Sequence, residues 1–313
     1  MTLAYGKSIK LFLMDADPEG RMICELSNWT GKAYRIPRRK VGECRSREEL
    51  ASTAVYLLFG PPETSVGQPR VYIGETENAF ERLKQHVSEK EFWNEAVVFI
   101  SKDENLNKAH VKFLESRFLE DAVSAARYAV ENGQTPTKSS ISEADQAEMG
   151  EFAEYARLLL NTMGFKVFEP IVKPVDTTDT LAPTDDTFYL TGTEGAKGTG
   201  TRTAEGFVVR KGSHARLNPV SSCQKGFLDR REGLVASGML RESGTVYEFA
   251  EDVLFSSPST AAAIVMGRNA NGRIEWKTAS GMTLKEIEEV EVGSAETVAA
   301  EVDPLLLAGA VDA

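Results

Sequence analysis

Val71-Tyr-Ile-Gly-Glu-Thr-Glu-Asn-Ala-Phe-Glu-Arg-Leu-Lys-Gln-His86 (VYIGETENAFERLKQH) passes in one step from strand-forming residues to a helical pattern. Upstream, Thr53 to Gly60 (TAVYLLFG) is an apolar strand stopped by Gly60-Pro61-Pro62, and Pro69 to Gly74 (PRVYIG) is a second strand. A polar loop longer than a tight turn separates them, so the pair reads as an antiparallel hairpin. The helix is expected from about Glu77, with Thr76 capping its free N–H groups. Phe80, Leu83 and Val87 recur at i, i+3 and i+7 and make its buried stripe. Arg82 and His86, four apart, share a face beside that stripe.

Glu95 to Ser101 (EAVVFIS) reads as a third strand, followed by a helical pattern from Leu106 to about Val130. Paired strands with helices over them predict an α+β fold: a small antiparallel sheet flanked by helices over 51–135. Residues 1–50 (SIKLFLM, RMICEL, KAYRI around a turn at Pro18-Glu-Gly20) read as a small strand-rich unit of their own. Residues 136–185 hold a helix, EFAEYARLLLNTMGF with a Gly stop, and a linker rich in Thr, Asp and Pro at 172–186. A separate α+β C-terminal domain is expected over 186–285, from FYLTG through AEGFVVRKGSHA, a short helix near Arg230 to Ala236, and TVYEFAEDVLF. Ser257 can cap a helix whose first residue is Pro258, where the missing N–H is no loss, and Gly267 can end it. Asn271-Gly272 predicts a hairpin-like turn into RIEWK, with Trp276 in a core. Residues 286–313 are an acidic, then Ala- and Leu-rich, tail.

The 313 residues suffice for two or three domains, and a 42% hydrophobic content suits globular packing. The N-terminus holds no long apolar run, its short one at Leu11–Met14 being followed by Asp15 and Asp17. Neither a signal peptide nor a membrane helix is expected, which points to the cytoplasm. Cys24, Cys44 and Cys223 are odd in number and far apart, and predict buried thiols rather than disulfides or a zinc site. A net charge of -11 argues against a nucleic-acid partner only if it is spread evenly. Seven acids and no base lie between Glu286 and Asp303; without them the charge is -4. In contrast, Lys32, Arg35, Arg38, Arg39 and Lys40 lie within nine residues that contain no acid. Such a run can hold phosphates without reading bases. A solvated loop is the other reading.

Glu115 lies one helical turn from Val111, Phe118 and Leu119 and two from Ala122. A lone carboxylate there is costly unless exposed, paired or ligating a metal; Lys108 and Lys112 are the available pairing partners. Tyr56, Tyr72, Arg82, His86 and Glu115 together suit phosphodiester hydrolysis. A carboxylate-held metal neutralises a non-bridging oxygen, arginine matches phosphoryl geometry, and a tyrosine hydroxyl relays a proton where positive charge favours its anion.

Ala54-Val-Tyr56, Tyr72-Ile-Gly74, Arg82, His86 and Glu115, in that order, resemble the GIY-YIG nuclease superfamily. The resemblance implies one divalent ion, Mg²⁺ or Mn²⁺, held by Glu115, and a nucleic-acid substrate, DNA. It makes Arg82 the phosphate-stabilising arginine and His86 the proton-handling neighbour. Tyr56 would be the general base and Tyr72 would orient phosphate or water, while Asn132 would close the site. Two departures are Ala54 in place of the first motif glycine and the longer Tyr56-to-Tyr72 gap. NWTGKAYRIPRRKV, WNEAVVFISKDENLNKAHVKFLESRF, EGFVVRKGS and FSSPSTAAAIVMGRNANGRIEWK further resemble bacterial proteins that join a GIY-YIG domain to a C-terminal DUF4357 domain. The end of that stretch is similar to C-terminal modules of restriction and modified-DNA systems. The competing expectation is a nucleic-acid-binding or regulatory protein on the same scaffold without turnover. A purely structural role would make the spacing of Arg82, His86 and Glu115 a coincidence. No membrane partner is expected.

Overall fold

The computed structural model describes residues 5–63, 67–133, 139–171 and 187–291. The linker expected at 172–186 and the tail beyond residue 291 lie outside the described residues. The architecture is mixed α+β, with two sheets in two units, Met1–Pro170 and Ile171–Ala313. Among the described residues no helix is long and apolar enough to cross a membrane.

The first unit contains β1 (Ile9–Leu13), β2 (Met22–Leu26), β3 (Gly31–Pro37), β4 (Ala54–Gly60), β5 (Arg70–Thr76), β6 (Glu95–Ser101) and β7 (Ala129–Val130). Its helices are α1 (Ala79–Glu89), α2 (Lys108–Ala125) and α3 (Glu143–Thr162), and a 3-10 segment spans Arg38–Cys44. The strand order is β1-β2-β3-β6-β4-β5-β7. β4 and β5 form the expected antiparallel pair, and β7 joins β5 in parallel.

β4 is buried at every position because both of its faces are covered. Side chains alternate between the faces. Val55, Leu57 and Phe59 pack with α2 and α3, whereas Ala54, Tyr56 and Leu58 pack with Ala79 and Leu83 of α1 and with the 3-10 segment. A strand covered on both sides reads as a continuous apolar run, which is what TAVYLLFG is.

In this unit the structure corrects four local expectations. The strands within 1–50 are not a unit of their own: β3 pairs with β6 over seven residues, Gly31 with Ser101 through Pro37 with Glu95. This makes one seven-stranded sheet instead of a small one, and the pairing of distant segments leaves no trace in local pattern. The cap of α1 is Asn78, whose side chain accepts from the Glu81 N–H at 3.1 Å, while Thr76 Oγ1 accepts from Asn78 N–H. The long helix stops at Ala125 because Ala126 turns left-handed at φ 49°, and Ala129–Val130 then join the sheet. Finally, the buried face of α1 is Ala79, Leu83 and His86, and Val87 is exposed.

The second unit contains β8 (Thr187–Thr191), β9 (Lys197–Thr203), β10 (Gly206–Val209), β11 (His214–Arg216), β12 (Leu240–Ser243), β13 (Val246–Phe249) and β14 (Val253–Phe255). Its helices are α4 (Lys225–Ala236), α5 (Pro258–Met266) and α6 (Gly272–Glu275). The strand order is β12-β13-β11-β9-β10-β14, with β8 also on β9. Ser257 Oγ caps α5 at Thr260 N–H, and Gly267 ends it at φ 63°. Six successive residues, Ala261 to Met266, are buried, as expected of a helix apolar all round its axis.

Trp276 is fully buried beside α5 and donates to the Pro258 carbonyl at 3.0 Å. Asn271-Gly272 is not a hairpin turn: Asn271 caps α6, and Gly272 is pressed on Pro258, whose carbonyl carbon would lie 2.1 Å from a Cβ there. The glycine serves packing rather than a turn.

Candidate active site

β4 and β5 set the floor of the site. Tyr56 is opposite Gly74 in the register, and Leu58 opposite Tyr72, which puts both tyrosines on the α1 face. A Cβ on Gly74 would sit 2.4 Å from the Tyr56 hydroxyl oxygen. Gly74 is therefore the space that the Tyr56 phenol fills.

α1 closes over that floor. His86 Nε2 lies 2.7 Å from the Tyr56 hydroxyl, and Arg82 Nε donates to the same oxygen at 3.1 Å. Arg82 Nη1 donates to Gln85 Oε1 at 2.6 Å. The rings of Tyr56 and Tyr72 are 6.3 Å apart, and those of Tyr72 and His86 5.4 Å. Tyr56 and His86 are each 1% exposed, while Tyr72 reaches solvent at one side.

Burial, helped by the positive charges of Arg82 and Lys90, pushes the His86 imidazole down to about 4, so it is neutral at pH 7. Burial also raises the Tyr56 phenol, against the pull of Arg82. Among the described residues, His86 Nδ1 is buried without a hydrogen-bond partner. If Tyr56 donated to Nε2, the lone proton of the neutral ring would sit on Nδ1, an orphaned buried donor. Nε2–H donating to the tyrosine oxygen leaves Nδ1 as a bare acceptor, the less costly orphan. That tautomer aims two N–H donors, from His86 and Arg82, at one phenol oxygen.

Glu115 approaches from α2. It is half-buried and, among the described residues, makes no hydrogen bond and no direct ion pair. The expected partner, Lys108, is instead bound to Glu75 at 2.7 Å, with Glu77 at 3.8 Å. Burial, with the nearby charge of Glu75, pushes the Glu115 carboxyl up to about 7, while Lys108, Lys112 and Arg82 pull it down. Tyr56, Tyr72, Arg82 and His86 thus meet in direct contact, and Glu115 stands within electrostatic reach of Arg82 and Tyr56.

Asn132 stands apart from these contacts. Its carboxamide accepts from Ile73 N–H at 3.0 Å and donates to Ile73 C=O at 2.7 Å, continuing the ladder where β7 stops. Asn132 clamps the edge of β5 and so positions Tyr72 and Gly74 on either side of Ile73.

The basic run is not one open patch. Lys32 pairs with Glu49 at 2.5 Å, Arg35 with Glu95, and Lys40 with Glu43 at 2.9 Å. Arg38 lies over the Trp93 ring and donates to the carbonyls of Val87 at 2.8 Å, Lys90 at 2.5 Å and Trp93 at 3.1 Å. It thereby satisfies the C-terminal end of α1 and its exit. Alternation along β3 separates Lys32 and Arg35, and Arg38 to Lys40 belong to another element. Arg39 is exposed and has no ion pair among the described residues.

Glu75 and Lys90, which no motif in the sequence marks, also stand at the site. Lys90 Nζ sits 4.3 Å over the Tyr72 ring. Its one signal was its place four residues after His86. Among the described residues, no group of three or more His, Cys, Asp or Glu side chains gathers to hold a metal ion. Cys24, Cys44 and Cys223 are free and buried.

Residues 188–288 match a family described as a domain of unknown function, DUF4357, so this part of the chain is a DUF4357 domain. Neither the curated proteins nor the solved structures include a match to the chain.

Proposed function

We propose that the N-terminal unit is a GIY-YIG-type endonuclease that hydrolyses phosphodiester bonds in DNA with one divalent ion, Mg²⁺ or Mn²⁺. The observation that carries the reading is the contact of Tyr56, His86 and Arg82 through one phenol oxygen, with an unpaired carboxylate, Glu115, in electrostatic reach. The residues suit such an ion. A carboxyl held half-buried near Glu75 without a direct cation is relieved by a bound dication, and Mg²⁺ commonly takes one or two carboxylates with the rest of its shell from water and phosphate. When bound at Glu115, the ion supplies charge neutralisation at a phosphoryl oxygen and lowers the pKa of water.

Arg82 supplies a second positive charge where negative charge grows in the transition state. Tyr56 is the general base. It acts in the phenolate form: its hydroxyl proton, which neither N–H donor on the oxygen can accept, leaves first to a solvent or phosphate oxygen on the third side, and the Arg82 and His86 donors then stabilise the anion against the burial that raises the phenol. Tyr72 orients water or phosphate, and Lys90 over its ring holds it at the mouth of the site. The competing reading, a nucleic-acid-binding protein without turnover, is favoured by the Lys108–Glu75 pair, which places an ammonium next to the candidate ion site.

Glu115→Gln separates the two readings. It keeps the helix and a polar side chain but removes the charge. Metal-dependent cleavage of plasmid, nicked, branched and modified DNA should fall by at least about a hundredfold in Mg²⁺ or Mn²⁺. Near-parental turnover in the variant would remove Glu115 from the reaction, and no cleavage by the parent on any of these substrates would favour the binding protein.

A further inference from the structure

A cleft of about 780 Å³ opens on the flank of α1 away from the catalytic groups, against the 3-10 segment Arg38–Cys44. Helical residues advance about 100° each, so Phe80 and Lys84 lie about 200° round the axis from Arg82 and His86 respectively. Phe80 and Val87 of α1 and Val41 give the cleft an apolar wall, and Arg39 and Lys84 stand at it from opposite sides.

Arg38 also lines the cleft, but its guanidinium is taken up by the carbonyls of Val87, Lys90 and Trp93 at the end of α1 and its exit. Arg39 has no such engagement among the described residues. Among the described residues Lys84 has only an exposed ion pair with Glu81 at 3.1 Å, of the kind that contributes little and exchanges readily with another anion. Two acids oppose an anionic ligand: Glu95 is already bound to Arg35, which leaves Glu19. The balance is positive, beside apolar surface, which suits phosphates joined by sugars whose C–H faces can lie on Phe80 and Val87.

One helix diameter, about 10 Å, separates this cleft from the Arg82 flank, equal to roughly three rises of 3.4 Å along the axis of a duplex. We infer that the cleft holds the sugar-phosphate backbone of the nucleic acid a few nucleotides from the scissile phosphate, with Arg39 and Lys84 as its phosphate contacts, so that the substrate straddles α1. This rests on the nuclease reading and adds a second contact surface to it.

The test uses the full chain carrying Arg39→Gln and Lys84→Gln together. Its control is Lys10→Gln with Lys102→Gln, an equal loss of charge on β1 and beyond the far end of β3. Affinity for a fluorescein-labelled 20-base-pair duplex is read by anisotropy across a salt series with Ca²⁺ in place of Mg²⁺, and single-turnover cleavage is read in Mg²⁺. The cleft variant should bind on the order of tenfold more weakly and lose about two from the log–log salt slope, since each lost phosphate contact removes about 0.9. Its rate at saturating DNA should match the parent, and the control should keep the parental slope. Inorganic phosphate at equal ionic strength should leave the parent's affinity unchanged. If the parent binds and cleaves while the cleft variant keeps its slope and affinity, the cleft proposal fails and the nuclease reading stands. If inorganic phosphate alone competes through Arg39 and Lys84, the cleft takes a free small anion and the proposal fails. If the parent neither binds nor cleaves, both fall.

Discussion

At the scale of single residues, the site is governed by what burial does to charge. Glu115 has a folded-state carboxyl raised to about 7. Between about pH 4.3 and 7 the native state keeps a proton that the unfolded chain releases, so this residue's stabilisation is present in acid and lost as pH rises through that window. Glu115→Gln cannot ionise. The variant should match the parent near pH 4 and exceed it by about 1–2 kcal/mol at pH 8, a figure discounted for partial exposure. Urea unfolding at both pH values checks this, and equal stability at pH 8 would show an unperturbed carboxyl. Added Mg²⁺ should narrow the gap in the parent by binding only its native state. His86, depressed to about 4, works in the opposite sense: its contribution is present above about pH 6.5 and is lost as pH falls toward 4. The two slopes oppose one another in mild acid, so Glu115→Gln should also unmask the acid sensitivity of the buried imidazole.

Gly74 belongs to the same scale. Gly74→Ala should cost about 1–3 kcal/mol, because a methyl 2.4 Å from a buried phenol oxygen forces Tyr56 out of place, and it should lower cleavage with it. Combining it with Tyr56→Phe should recover part of the stability and none of the activity. Additive stability losses in the double-mutant cycle would mean that the two residues do not meet.

At the scale of the element, α1 is held at both ends by residues outside its own stripe. Asn78 caps its start, and Arg38 gathers the Val87, Lys90 and Trp93 carbonyls at its end and exit. A cation at a helix C-terminus meets the negative end of the dipole as well as the unpaired carbonyls. Arg38→Gln should therefore lower stability by about 1–3 kcal/mol, the cost of stranding partly buried acceptors, with little change in DNA affinity. A phosphate-binding role would give the reverse pattern, weaker binding at parental Tm. The pitch of α1 was legible in its sequence; its buried face was not. Phe80, Leu83 and Val87 fit the periodicity as well as Ala79, Leu83 and His86 do, and only the sheet beneath decides that a histidine is covered and a valine exposed.

At the scale of the whole molecule, each unit buries apolar residues of its own, those of the first unit on both faces of its sheet, and damage to one unit should spare the other. Trp276→Ala in the DUF4357 domain empties a fully buried site beside α5 and should cost about 3–5 kcal/mol in that domain. Cleavage of a short duplex by the N-terminal unit should remain parental in the same variant under conditions where the intact domain is folded. A parallel loss of turnover would show that the units act together.

Local pattern by itself determined much of this protein: β4 and β5 as a pair, β6 to the residue, the cap and stop of α5, and the spacing that puts Arg82 and His86 on one helix. These follow from period, capping chemistry and backbone preference, which act between near neighbours. Only tertiary structure decided the rest. β3 joins β6 across more than fifty intervening residues, Lys108 chooses Glu75 over Glu115, and Arg38 turns from solvent to helix carbonyls. Each is a choice among partners of equal local merit. Packing made that choice, by fixing which charges lose water together and which stay exposed.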